Sequence, residues 1–90
     1  MDKDHISQAQ KEFGRQVAAL RNEIDITQEE LAFRVGVDAT YISLIERGEA
    51  NPTLKVMIKL AFTQTFPPKA FFSTIEVPED YKKQYGKNQK

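Results

Sequence analysis

The chain has 90 residues, with 13 Lys plus Arg against 13 Asp plus Glu, so its formal net charge is zero. That length supports one domain with a small core, and a hydrophobic content of 40% is too high for a disordered chain. There is no Cys and a single histidine, His5, which excludes a disulfide scaffold, a zinc–thiolate site and a Cys nucleophile, and argues against a His-built metal or acid–base site.

No apolar run approaches the ~20 residues a membrane span needs. Residues 1–20 scatter Asp2, Asp4, Lys11, Glu12 and Arg15 through the sequence, without the apolar centre of a secretory leader. The expectation is a cytoplasmic protein that is not an enzyme and has no cofactor, no metal and no membrane partner.

Strand patterns are scarce, and helical spacing dominates. Ile6, Ala9, Phe13, Val17, Leu20 and Ile24 recur at steps of three and four, which is one face of a helix. A first helix is predicted near 8–23, with Ser7 and Gln10 as its capping box. Gly14 in its middle costs ~1 kcal/mol relative to Ala, which suggests close approach of another helix. Thr27-Gln28-Glu29-Glu30 is a capping box for a second helix, with Ile26 and Leu31 placed for a hydrophobic staple. Gly36 ends that helix after about two turns. A third helix follows from the N-cap Asp38 to a stop at Gly48. A fourth, near 54–64, is capped by Thr53 and should turn Leu54, Met57, Ile58 and Ala61 inward. Pro67-Pro68 opens a short segment with Ala70, Phe71 and Phe72, read as a fifth helical turn. Residues 81–90 carry Lys82, Lys83, Lys87 and Lys90 and no acid, and read as a basic tail that is frayed or ordered only on a partner. The fold class is all-α, compact, with four to five helices. Residues 1–72 form the domain, and 73–90 a partly flexible C-terminal extension.

Residues 28–47 meet the physical demands of a tight helix–turn–helix. Ala32 supplies a small side chain where the helices cross, and Gly36 tolerates positive φ in the turn. Leu31, Val35, Val37, Ile42 and Ile45 furnish the apolar inner faces. At about 100° per residue, the direction opposite Ile42 and Ile45 carries Thr40, Ser43, Leu44 and Arg47, with Ala39 at its edge. Arg47, Asn51 and Lys55 lie just beyond, where a phosphate strand would run. Tyr41 sits about 100° from the centre of this face, equally suited to packing at the domain rim or to binding a phosphate.

The spaced residues Thr27-Gln28-Glu29-Glu30-Leu31-Ala32, Gly36-Val37, Tyr41-Ile42-Ser43, Ile45-Glu46-Arg47-Gly48 and Asn51-Pro52-Thr53-Leu54 resemble the signature of the Cro/lambda-repressor-type helix–turn–helix family. The resemblance covers Phe13 to Phe72, about two thirds of the chain, and is strongest to small stand-alone repressors and restriction–modification controllers. It implies a lambda-repressor-like DNA-binding domain that acts as a homodimeric transcriptional regulator on a palindromic operator. The expected base contacts are Ala39, Thr40, Ser43 and Leu44 in the major groove. Gln28 matches the family's phosphate-binding glutamine, joining Tyr41, Arg47, Asn51 and Lys55 as phosphate contacts. The resemblance makes Arg21 and Glu46 a structural ion pair. Asp38 remains a cap, and His5 a solvated side chain.

The sequence also departs from the family. Within 28–47, two arginines face four acids (Glu29, Glu30, Asp38 and Glu46), a balance of 2 − 4 = −2. Places where many relatives are basic hold Ala39, Glu49 and Ala50. Because phosphate attraction supplies most non-specific affinity, a salt-sensitive binder that depends on its dimer is expected. Phe62, Phe66, Phe71 and Phe72 cluster after the fourth helix. Phe66, Phe71 and Phe72 are expected at the dimer interface, while the alternative for Phe62 and Phe66 is to close the bottom of the core. The competing function is a protein-interaction module of the same fold, an antitoxin-like or coactivator-like adaptor with little or no DNA binding.

Overall fold

The computed structural model describes residues 2–86 and is all-helical there. The elements are α1 (Asp2–Glu23), α2 (Gln28–Val35), α3 (Ala39–Glu46), α4 (Leu54–Thr63), a 3-10 turn (Pro68–Phe72) and α5 (Glu79–Tyr85). Two of the starts are set by hydroxyl caps. Thr27 Oγ1 accepts from the Glu30 amide at 3.0 Å, and Thr53 Oγ1 accepts from the Val56 amide at 3.2 Å, each satisfying one orphan donor of a first turn. The reciprocal half of the first box is absent, because Glu30 instead receives Arg34 Nε at 2.9 Å one turn along α2. Asp38 occupies the N-cap position of α3 with extended backbone but makes no side-chain cap bond. Gly36 closes α2 at φ 87, its amide donating to Ala32 O.

The core is a single cluster. Val17 from α1, Leu31 and Val35 from α2, Ile42 and Ile45 from α3, Leu60 and Ala61 from α4 and Phe71 from the 3-10 turn are all buried. Phe13 meets Phe71 with ring centroids 5.1 Å apart, and Phe66 meets it edge-on at 5.3 Å, offset geometries that aromatic quadrupoles favour. The three helices α1, α2 and α3 enclose most of this cluster, with α4 and the 3-10 turn closing it from below.

Gly14 explains how tightly α1 and α3 meet. A Cβ built there would lie 2.2 Å from Ile45 O and 2.7 Å from Glu46 O, so α1 rests directly on the C-terminal backbone of α3.

Several expectations change. α1 begins at Asp2, so Ser7 and Gln10 lie inside the helix and form no capping box. Leu54 points outward, 67% exposed, whereas Leu60 is fully buried, because the inward stripe of α4 runs through 57, 60, 61 and 64 rather than starting at its first residue. Gln64 is itself buried, its carboxamide within hydrogen-bonding distance of Val17 O in α1. Residues 81–85, the first half of the stretch read as a frayed tail, belong to α5; residues 87–90 of that stretch lie outside the described residues. His5 is not merely solvated: Nε2 lies 3.1 Å from Asp80 Oδ1, and the ring meets Tyr81 edge-on at 6.1 Å. This contact fastens α5 to the N-terminal part of α1.

Candidate nucleic-acid interface

The motif is built by two eight-residue helices whose buried faces leave little freedom. Leu31, Ala32 and Val35 anchor α2, and Ile42 and Ile45 anchor α3. The turn between them carries two bonds to Ala32 O, from the amides of Gly36 and Val37. With Ile42 and Ile45 fixed inward, the other face of α3 is set. Thr40 and Arg47 are exposed, and Ser43 and Leu44 are half-buried. Ala39 and Tyr41 are also half-buried and pack against the core. Thr40 and Ser43 thus present hydroxyls that can donate or accept, Leu44 presents apolar surface, and Ala39 offers only a partly covered methyl.

One polar cluster locks the orientation of this rod. Arg21 Nε donates to Glu46 Oε2 at 2.7 Å and Nη2 to Oε1 at 3.1 Å, a two-point fork across α1 and α3. Nη1 donates to Ile26 O at 2.9 Å. The side chains are 15% and 7% exposed, so the pair is largely desolvated, and its geometry offsets the cost of removing both charges from water. Glu46 raises the Arg21 pKa above its ordinary value, first through the hydrogen bond.

Gln28 belongs to the same cluster, because its Nε2 donates to Glu46 Oε1 at 2.9 Å. The residue expected at phosphate is therefore already committed in part, with one N–H of the carboxamide used and the second left over. The first-turn amides of α2 stand beside it.

The edge beyond α3 is formed by Arg47, the loop through Asn51, and the start of α4. Arg47 lies 3.8 Å from Glu49, both side chains more than half exposed, a loose surface pair of little energetic weight. Asn51 and Lys55 are exposed. Sequence reading missed one side of this edge: Gln10 Nε2 in α1 donates to Asn51 Oδ1, and Lys11 lies against Gly48. Nothing local marks those contacts, since each joins residues far apart in the chain.

The expected dimer residues separate. Phe71 is 1% exposed in the core, which removes it from any interface, because its ring is already enclosed by Phe13 and Phe66. Phe66 is half-buried against the same cluster. Phe72 stacks on Phe13 at 5.9 Å yet stays 49% exposed. Phe62 is more exposed still and does not close the core. Among the described residues, no helix is long and apolar enough to cross a membrane, and no group of three or more His, Asp or Glu could hold a metal ion.

Comparison with known proteins agrees with this geometry. The family described as "Helix-turn-helix" matches residues 17–61. A protein from Sinorhizobium fredii named "Uncharacterized HTH-type transcriptional regulator y4dJ" is 44% identical over 48 residues, covering 53% of this chain and 62% of that one. A similarly named HTH-type transcriptional regulator from Archaeoglobus fulgidus is 44% identical over 45 residues, covering 50% and 63% respectively. The chain thus spans less than two thirds of these curated relatives. Among solved structures, the restriction-modification controller protein C.AhdI from Aeromonas hydrophila superimposes with a TM-score of 0.67 at 35% identity, covering 72% of this chain and 97% of that one. A motif with buried inner faces, a glycine turn and an α1–α3 ion pair, together with a family pattern that matches half of the chain, leaves one assignment: the chain belongs to the helix-turn-helix family.

Proposed function

We propose that the protein is a sequence-specific DNA-binding transcriptional regulator, a repressor that acts as a homodimer on a palindromic operator. The observation that carries the reading is the outer face of α3. Thr40, Ser43, Leu44 and Arg47 line one side of a short helix whose other side, Ile42 and Ile45, is fully buried. A rod held this rigidly can enter a major groove with its polar side toward base edges. Thr40 and Ser43 hydrogen-bond base edges, and Leu44, with the partly covered Ala39, contacts a thymine methyl. Gln28 with its spare N–H, Tyr41, Arg47, Asn51 and Lys55 take the flanking phosphates.

The acidic balance of the motif is eased by pairing. Glu46 is neutralised by Arg21, and Glu30 by Arg34. The repulsion a duplex meets is then smaller than the formal count, although attraction from the motif itself stays weak. Two copies are needed for useful affinity, with Phe72 and the outer part of Phe66 covered by the partner, and the two α3 helices about one DNA turn, roughly 34 Å, apart. The same acidic balance, with Glu49 beside Arg47, favours the second reading, a protein-binding adaptor.

Selection of duplex fragments from genomic DNA by the purified protein tests the proposal. Enrichment of fragments sharing an inverted repeat supports it. Recovery of fragments without any common sequence at low salt contradicts it and favours the adaptor.

A further inference from the structure

Helix α1 enters the fold as a structural element, yet its first half delivers polar groups to the edge beyond α3. Gly48 has φ 77, and a Cβ there would lie 2.7 Å from Lys11 Cγ and 2.8 Å from Lys11 Cα. The stem of Lys11 therefore runs directly over the residue that follows Arg47. One position earlier, Gln10 Nε2 donates to Asn51 Oδ1. That bond engages one lone pair of Asn51 Oδ1 and leaves the NH2 group of the same amide without a partner among the described residues.

Charge pairing then separates Lys11, like Lys55 at the start of α4, from the two arginines. Along this edge Arg21 is committed to Glu46, and Arg47 is shared with Glu49. Lys11 is exposed and makes no ion pair among the described residues. An unpaired ammonium on a stem that runs over Gly48, and the amide of Asn51 three residues further along the same loop, match the chemistry of a phosphodiester strand: one charge-assisted donor and one neutral donor.

We propose that α1 supplies a phosphate clamp to the nucleic-acid interface. Lys11 contacts a backbone phosphate beside the loop after α3. Gln10 is a positioning residue that turns the Asn51 amide toward the neighbouring phosphate. This rests on the DNA-binding reading and extends it to a part of the chain outside the helix–turn–helix, offsetting the acidic balance of the motif from without.

Salt dependence tests the clamp. The affinity of wild type and of Lys11→Met, which keeps most of the stem but loses the charge, is measured on a mixed-sequence duplex between about 50 and 200 mM salt. Each phosphate contact contributes about −0.9 to the slope of log affinity against log salt. Wild-type affinity should therefore fall about 3–4-fold more over that range than the affinity of Lys11→Met, while Lys11→Arg keeps the wild-type slope and all three melt alike. Gln10→Ala and Asn51→Ala should each weaken binding, and the double variant should be no weaker than Asn51→Ala alone. An unchanged slope in Lys11→Met overturns the lysine contact, and additive losses overturn the positioning role, both without touching the DNA-binding reading. A wild type that binds no duplex in dilute salt overturns the clamp together with that reading.

Discussion

Replacing Gly14 by Ala sets two effects against each other. In the middle of a 22-residue helix, Ala is favoured over Gly by ~1 kcal/mol, because glycine loses more backbone freedom on folding. Against this stands the contact with α3. The new Cβ would sit 2.2 Å from Ile45 O, 2.7 Å from Glu46 O and 2.8 Å from the Glu46 carbonyl carbon. All three atoms are backbone, so no side-chain rotation relieves them, and α1 must move away from α3 by about an ångström. Overpacking of a core costs typically 1–3 kcal/mol, and a clash with backbone belongs at the upper end. The net expectation is a loss of about 2 kcal/mol, equivalent to a fall in Tm of roughly 8–16 °C for a domain this small. Urea unfolding followed by helical circular dichroism reads it directly, with an unchanged slope showing that the unfolded surface is the same. A Gly14→Ala protein that is more stable than wild type, by the ~1 kcal/mol that helix propensity alone provides, would refute the close approach of α1 and α3.

Other perturbations probe separate links. Arg21→Ala strands Glu46, which is 7% exposed, and should cost about 3 kcal/mol in the same unfolding assay; Arg21→Lys should recover only part, since one ammonium cannot reproduce the fork to Glu46 and the bond to Ile26 O. Glu12 accepts bonds from Arg15 and Thr74, which hold its pKa at about 2 against an ordinary 4.5. A depressed carboxylate stabilises the fold above its unfolded pKa and loses that contribution as pH falls through the folded one. Glu12→Gln should therefore flatten the Tm profile between pH 4.5 and about 2 and leave neutral pH little changed; an unaltered acid profile would remove the Glu12 linkage. Phe72→Glu should shift sedimentation toward monomer and weaken duplex binding with it, and a variant that remains dimeric would move the interface elsewhere.

The parts of the fold legible in the sequence are those fixed by local chemistry. Thr27 and Thr53 announce their helices because a hydroxyl three residues before a free amide is a local device. Gly36 announces a stop because only the left-handed region closes that turn cheaply. Gly14 marks a close approach because little else justifies a glycine inside a helix. What stayed hidden depends on partners distant in the chain. α5 lacks apolar periodicity and owes its seat to the His5–Asp80 contact, 75 residues apart. Leu54 and Leu60 are chemically alike, and only the position of α2 and the 3-10 turn against α4 decides which is covered. Phe71 and Phe72 are adjacent rings of the same chemistry, and only the seat of the 3-10 turn against Phe13 and Phe66 encloses the first while the second stays 49% exposed. At the candidate interface, the groove-facing side of α3 follows from helical periodicity once Ile42 and Ile45 are taken as buried. The commitment of Gln28 to Glu46 and of Gln10 to Asn51 does not, because each bond spans separate helices or a loop.

The central claim is that α3 reads base edges through its exposed hydroxyls. The measurement closest to it is the affinity of the Thr40→Ala, Ser43→Ala double variant for a duplex selected by the wild type, set against its affinity for random duplex and its unfolding free energy. Both positions lie outside the buried core. The account predicts that preference for the selected duplex disappears while random binding and stability stay near wild type. Full retention of that preference would contradict it.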